Sequence, residues 1–294
     1  MTDAYPPLFI AASSGDLETV RGLLPEENTF ILNQALAQAA ALGHFETADV
    51  LLEAGADPNG EFNSLYGTVL FPACEYMNPE GIQYLLDKEA NPAREVVRVD
   101  GPRNALEHLL HSHHPSPHKQ RCIRLLLQGG APDPKDAPFA IHLGSLERLI
   151  RALDEDPELL HKPLQKTYGR FSVEGASLLH MAVEYNQPDL AAELLDRGAD
   201  INATAEELPA TTGTNPVWPT DLISQGTQTA LFHAKGTSKG MLKFLLDRGA
   251  DPSISASFLR DGEDVMLTPL EFFEEVDRIE CNLLEEILTL RQQG

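Results

Sequence analysis

The sequence predicts an all-α solenoid of about seven to eight helix–turn–helix repeats with long inter-repeat loops. Three observations predict it. A nine-residue ending, L-L-E-A-G-A-D-P-N at Leu51–Asn59, recurs as Leu85–Pro92 (L-L-D-K-E-A-N-P), Leu126–Asp133 (L-L-Q-G-G-A-P-D), Leu194–Asn202 (L-L-D-R-G-A-D-I-N) and Leu245–Pro252 (L-L-D-R-G-A-D-P). A second motif opens the repeats: Pro6–Ala12 (P-P-L-F-I-A-A), Thr68–Ala73 (T-V-L-F-P-A), Ser177–Val183 (S-L-L-H-M-A-V), Thr229–Ala234 (T-A-L-F-H-A) and Thr268–Phe272 (T-P-L-E-F). Openings and endings alternate at a period of roughly 33 residues, the spacing of stacked helix pairs.

Each part of the repeat has a physical reading. The Leu pair ends an amphipathic helix, and the Gly four residues after the first Leu allows the left-handed backbone that stops it. The Ala-Asp-Pro or Ala-Asp-Ile that follows is turn chemistry that leads into a projecting loop. In the openings, Thr or Ser caps the first helix, and Ala-Ala at 11–12 and 39–40 lets neighbouring helices approach closely. Pro79 and Pro188 stand where second helices begin, the first helical position that proline favours.

Registered on the first-helix Leu, the anchors are Leu8, Leu36, Leu70, Leu106, Ala137, Leu179, Leu231 and Leu270. The first repeat is short and lacks the Gly-Ala-Asp ending. The fourth has its turn extended by His111–His118. The fifth is degenerate, with Gly144, Leu146, Glu147 and Leu149 keeping the pattern. The last runs into a charged helix, Glu271–Leu290, which suits a terminal repeat with a polar outer face.

The openings resemble the T-P-L-H-x-A-A signature of ankyrin repeats, and Gly15, Asp16 and Glu18, like Gly43, His44 and Glu46, keep that family's spacing to the second helix. The resemblance covers nearly the whole chain. It implies one ankyrin-repeat domain over 1–294, with an N-terminal capping repeat at 5–30, internal repeats at 31–260 and a C-terminal capping repeat at 265–294. It further implies a protein-binding scaffold that uses a concave face of loop tips and exposed first-helix ends. His180 holds the family's His position, which implies a structural role bracing the turn through backbone hydrogen bonds.

Carried onto this chain, the two positions after the Ala pair are Ser13–Ser14, Ala41–Leu42, Glu75–Tyr76, Glu184–Tyr185, Gly236–Thr237 and Glu275–Val276. The third and sixth repeats both place Glu-Tyr there, on one face of the array. A Tyr offers a large contact area with a polar tip and little entropy to lose, so Tyr76 and Tyr185 are candidate anchors. Glu75 and Glu184 beside them are candidate selectors for a cationic group. The plainer alternative makes all four solvated helix residues.

Lys162–Ser177 and Thr204–Gln228 are longer than a standard inter-repeat loop, and long loops in compact arrays are commonly functional or disordered. The second holds Trp218, the single tryptophan, between Pro216 and Pro219. Exposed, it is a third candidate anchor; folded back, it closes a small satellite core under the loop. His108, His111, His113, His114 and His118 fall within a short segment, and three imidazoles there could meet a Zn(II) or Cu(II) ion. The alternative, an exposed polar loop rich in Ser, Pro and His, is the reading adopted, so no metal and no cofactor are expected.

Composition narrows the function classes. The chain has 45 acidic and 22 basic residues, a formal net charge of -23. Such a balance repels phosphate and argues against nucleic acid as a partner. A protein or peptide with a basic surface is favoured instead, because opposite fields steer encounter. No apolar run approaches the ~20 residues that span a bilayer. The three cysteines, Cys74, Cys122 and Cys281, are far apart and read as reduced thiols, which with the acidic start Met1–Tyr5 suggests a cytoplasmic protein.

No Gly-x-Gly-x-x-Gly loop, Walker-type Gly-Lys-Ser/Thr, Gly-x-Ser-x-Gly elbow or His-Glu-x-x-His is present. The expectation is therefore a monomeric protein that is not an enzyme, acting as an adaptor or regulator on its concave face. The alternative is an inhibitor or immunity-type protein that masks a basic site on a toxin or nucleic-acid enzyme. A metal-dependent enzyme using the histidine cluster is the third class.

Overall fold

The repeated endings share one backbone solution. After Leu51, Leu85, Leu126, Leu194 and Leu245, the Ala five residues on donates its N–H back to the leucine carbonyl, at 2.9–3.0 Å in all five repeats. Gly55, Gly130, Gly198 and Gly249 take φ between 97° and 101° at the turn, where a side chain would be strained. In the third repeat Glu89 takes that place, with φ 65°.

The computed structural model describes residues 5–24, 27–63, 67–98, 101–111, 116–164, 175–205, 222–224, 226–234 and 239–276. They fall into two compact units, the first ending at Pro134 and the second beginning at Lys135. The fold is an all-α ankyrin solenoid, with short β-hairpins in the loops between repeats.

The first unit holds four helix pairs: α1 (Pro7–Ser14) with α2 (Leu17–Leu23), α3 (Thr29–Leu42) with α4 (Phe45–Glu53), α5 (Leu70–Glu75) with α6 (Pro79–Asp87), and α7 (Ala105–His111) with α8 (Lys119–Gln128). First helices pack side by side, α3 between α1 and α5, and α5 against α7. The small residues make this possible: Ala35, Ala37, Ala39, Ala40 and Ala41 of α3 are all buried. Gly81 of α6 lies so close to α3 that a Cβ there would sit 2.4 Å from the Ala40 carbonyl oxygen. Two antiparallel hairpins project between repeats, β1 (Glu61–Asn63) with β2 (Gly67–Thr68), and β3 (Val96–Arg98) with β4 (Gly101–Arg103).

The second unit contains α9 (Ala137–Leu143) with α10 (Leu146–Glu155), and α11 (Leu178–Glu184) with α12 (Pro188–Asp196). A 3-10 turn, Ala230–His233, then pairs with α13 (Lys239–Asp247), and α14 (Pro269–Val276) opens the eighth repeat. A three-stranded antiparallel sheet, β5 (Leu222–Ser224), β6 (Ala256–Arg260) and β7 (Glu263–Leu267), precedes α14. The core of this unit runs through Ile141, Leu149, Leu179, Met181, Leu194, Leu231, Leu245 and the ring cluster Phe232, Phe258 and Phe272.

The expected helix starts hold at Pro79 and Pro188. The expected Thr/Ser caps hold at Ser177, whose side chain joins a capping box with His180. Asn28 and Asp136 do the same work in the second and fifth repeats, and Thr229 makes no side-chain cap bond. The fifth repeat, degenerate in sequence, forms a complete pair. Among the described residues, the seventh opens with a 3-10 turn, Ala230–His233. The expected charged helix at the C-terminus is described as far as Val276. Among the described residues, no helix is long and apolar enough to cross a membrane.

Candidate functional site

The ends of the first helices carry the candidate site. In the first unit, α3 and α5 leave large apolar side chains exposed at their ends, Leu42 at 43% and Tyr76 at 49%, and α1 leaves Ile10 exposed in its middle, at 57%. Ser14 and Leu42 hold the register position of Tyr76 in their repeats. Tyr76 caps α5, and its hydroxyl accepts from Gln38 Nε2 of α3 at 3.3 Å, which ties the ring's polar tip to the neighbouring helix.

Glu75, partly exposed, reaches along the stack to the next repeat. Its Oε2 lies 3.1 Å from His108 Nε2 on α7, and the His108 ring stacks on Phe71 with centroids 4.4 Å apart. In the second unit, Glu184 Oε2 lies 3.0 Å from His233 Nδ1, in the turn that opens the next repeat. The two contacts have one register. Each Glu is seven residues beyond its repeat's opening residue, Thr68 or Ser177, and each His four residues beyond the next one, Asn104 or Thr229. Sequence reasoning missed both histidines as partners. The signal was there in the offset of His233 by one place from the family's His position.

Tyr185 packs differently from Tyr76. Its ring lies 4.4 Å from His142 and against the core of the second unit, and burial, then the Glu184 carboxylate, raise its phenol above the ordinary range. Of the two candidate anchors, Tyr76 therefore presents more free surface. Trp218, His113 and His114 lie outside the described residues.

His180 braces the turn that the resemblance implied. Its Nδ1 accepts from the Ser177 N–H at 3.2 Å, and Nε2 donates to the Gln228 carbonyl at 2.9 Å. This fixes the tautomer. Burial, with a smaller repulsion from His233, pulls its pKa down to about 3. His108 and His111 share α7, and His111 Nδ1 is 2.7 Å from the Glu107 carbonyl oxygen. Among the described residues no group of His, Cys, Asp and Glu could hold a metal ion. Cys74 and Cys122 are buried free thiols, and burial pushes Cys122 up to about 12, away from reactivity.

Comparison with known proteins bears on this arrangement. The family model for ankyrin repeats in three copies matches residues 2–62, and the single ankyrin repeat matches residues 174–206. The chain is an ankyrin repeat protein. Ankyrin repeats generally mediate protein–protein interaction. A protein of Oryza sativa subsp. japonica named as a probable E3 ubiquitin-protein ligase, XBOS32, is 34% identical over 211 residues, covering 68% of this chain and 39% of that protein. E3 ubiquitin-protein ligase XBAT33 of Arabidopsis thaliana is 33% identical over 207 residues, 67% of this chain and 36% of that protein. This ankyrin chain thus spans less than two fifths of the length of these curated relatives. Among solved structures it is similar to the human ASB11 ankyrin repeat domain (TM-score 0.37, 20% identity, 95% of this chain and 97% of that one). It is also similar to the Bcl-3 ankyrin repeat domain (TM-score 0.32, 21% identity, 96% and 99%).

The relatives correct one expectation. The absence of catalytic motifs led to the reading that the protein is not an enzyme, yet the curated relatives are named as ubiquitin ligases. The motifs are missing from a stretch that matches less than two fifths of each of these relatives.

Proposed function

We propose that the chain binds a protein partner with a basic surface on the face formed by its first-helix ends, with Tyr76 as an anchor. The observation that carries this is the pair Leu42 and Tyr76, large apolar side chains left exposed at one register position at the ends of two first helices that pack on each other. Exposed apolar patches rimmed by polar residues mark interaction sites. The net charge of -23 favours a cationic partner. Glu75 adds negative potential beside the Tyr76 ring.

The relatives support a second reading that extends the first: the bound partner is a protein presented for ubiquitin transfer. A photo-crosslinking residue at position 42 identifies the partner, with one on the outer helix at Gln83 as control. Binding is then measured at several salt concentrations. The proposal predicts that Tyr76→Ala weakens binding by about 1–3 kcal/mol, and that affinity falls as salt rises. Equal crosslinking from both positions, with no effect of Tyr76→Ala, would overturn it. For the second reading, partner ubiquitylation with ubiquitin-activating and -conjugating enzymes must require this chain and drop with Tyr76→Ala.

A further inference from the structure

We propose that Ser116 is a phosphorylation site for a proline-directed serine/threonine protein kinase, and that the phosphate caps α8. The chain has two Ser/Thr-Pro pairs, Ser116-Pro117 and Thr268-Pro269, and only the first has a basic residue three positions after the acceptor, Lys119. Both features have a physical meaning to a kinase. A proline brings no N–H to bury, so it suits a pocket that leaves the amide after the acceptor without a partner. The basic residue answers an acidic or phosphorylated patch on the enzyme.

The structure separates the two candidates. Thr268 is locked at the start of α14: its hydroxyl donates to Glu271 Oε2 at 2.8 Å, its own N–H reaches the same oxygen at 2.8 Å, and Glu271 stands where the basic residue would be. Ser116 lies in the turn before α8, followed by exposed Pro117 and His118, and its Oγ accepts from the His118 N–H at 3.1 Å. Transfer is ordinary. Ser116 Oγ bonds to the γ-phosphorus of a nucleoside triphosphate, the bond from that phosphorus to the β,γ-bridging oxygen breaks, and the diphosphate leaves with the electron pair. The hydroxyl proton passes to the kinase's base.

The product has a place to go. Among second helices, α2, α6 and α10 begin under Asp16, Asn78 and Ser145, whose side chains accept first-turn N–H groups, while α4 and α12 have no side-chain cap bond but carry Glu46 and Asp189 in their first turns. α8 begins under His118, with no side-chain cap bond and no acidic residue in its first turn. That turn instead carries Lys119 and Arg121, the wrong sign for a helix N-terminus. A phosphate of charge about -2 just upstream supplies acceptors for the amides and opposes both cations. Burial pulls Lys119 down to about 8, and the new anion opposes that shift. Glu80, 2.7 Å from Arg121, is the acidic neighbour that works against it.

The test uses the folded full-length chain, a proline-directed kinase and magnesium-ATP, with peptide mapping by mass spectrometry and hydrogen exchange at α8. Expected are one phosphate on Ser116, its loss in Ser116→Ala, a lower rate in Pro117→Ala and no modification of Thr268. Amides of residues 118–121 should then exchange about two- to fivefold more slowly. No phosphate at Ser116, or phosphate there only after the chain is denatured, would overturn the site. Stoichiometric phosphate without slower exchange would overturn the capping role.

Discussion

Glu75 and His108 meet at 3.1 Å across the boundary between the third and fourth repeats, so a residue read as a surface charge selector is also an inter-repeat tie. The contact is partly buried, and the imidazole is held in place by Phe71. A double-mutant cycle with Glu75→Gln and His108→Gln, followed by urea unfolding, should give a coupling of about 0.5–1.5 kcal/mol. Strict additivity of the two substitutions would show that the pair adds nothing to the stack.

The turn after α6 gives a prediction of opposite sign. Glu89 adopts φ 65° where the four equivalent turns use glycine. A side chain in the left-handed region costs ~1–2 kcal/mol, and glycine's extra chain entropy offsets part of it. Glu89→Gly should therefore raise stability by about 0.5–1 kcal/mol, read as a higher urea midpoint at unchanged slope. A lower midpoint would mean that the glutamate side chain contributes more than its backbone costs.

Leu194 and Leu245 are fully buried in the second unit, each at the start of a repeat ending. Leu194→Ala and Leu245→Ala each remove core contacts and leave a cavity, and should destabilise by ~2–5 kcal/mol. Because repeats are coupled to their neighbours, hydrogen exchange should accelerate on both sides of the altered repeat. A loss below about 1 kcal/mol by denaturant titration would contradict the packing of these leucines.

These residues also show what the sequence could and could not disclose. The leucines, the turn glycines and the prolines at the starts of α6 and α12 are local devices, each carried by a few adjacent residues, so the repeat pattern predicted them. Glu89 broke the pattern in letters but not in backbone, since hydrogen bonds from Glu89 and Ala90 to Leu86 and Leu85 hold the same turn. Of the residues the register singled out, Tyr76 is the one whose exposure the sequence pattern anticipated. Whether Glu75 or Tyr185 faces solvent depends on the side chain the adjoining repeat offers, His108 in one case and His142 in the other. Register within one repeat does not contain that information.

His180 sets an acid limit on the second unit. Its pKa falls from the ordinary 6.5 to about 3 on folding, chiefly through burial. The unfolded chain therefore takes up the proton first, and stability falls as pH drops below about 6.5, by at most ~1.4 kcal/mol per pH unit until the folded pKa is reached. Thermal or urea unfolding between pH 7 and pH 4 should show this slope, with the neutral variant His180→Gln less stable at pH 7 but flatter toward acid. Parallel pH profiles for the two proteins would exclude His180 as the source.

The two tyrosines at one register position should respond to truncation in different ways. Tyr76 is half exposed, with its hydroxyl on Gln38, so the folded state loses little when the ring is removed. Tyr76→Ala should change stability by less than about 1 kcal/mol while weakening partner binding by about 1–3 kcal/mol, as expected of an interface anchor. Tyr185 packs on His142 and the hydrophobic core, so Tyr185→Ala should cost about 1–3 kcal/mol of folding stability, with its effect on affinity smaller than that of Tyr76→Ala. Urea titration and calorimetric binding on the same two variants separate the roles. Should Tyr76→Ala leave affinity within about 0.3 kcal/mol of the parent chain, a difference below what an interface anchor contributes, the binding face lies away from the first-helix ends.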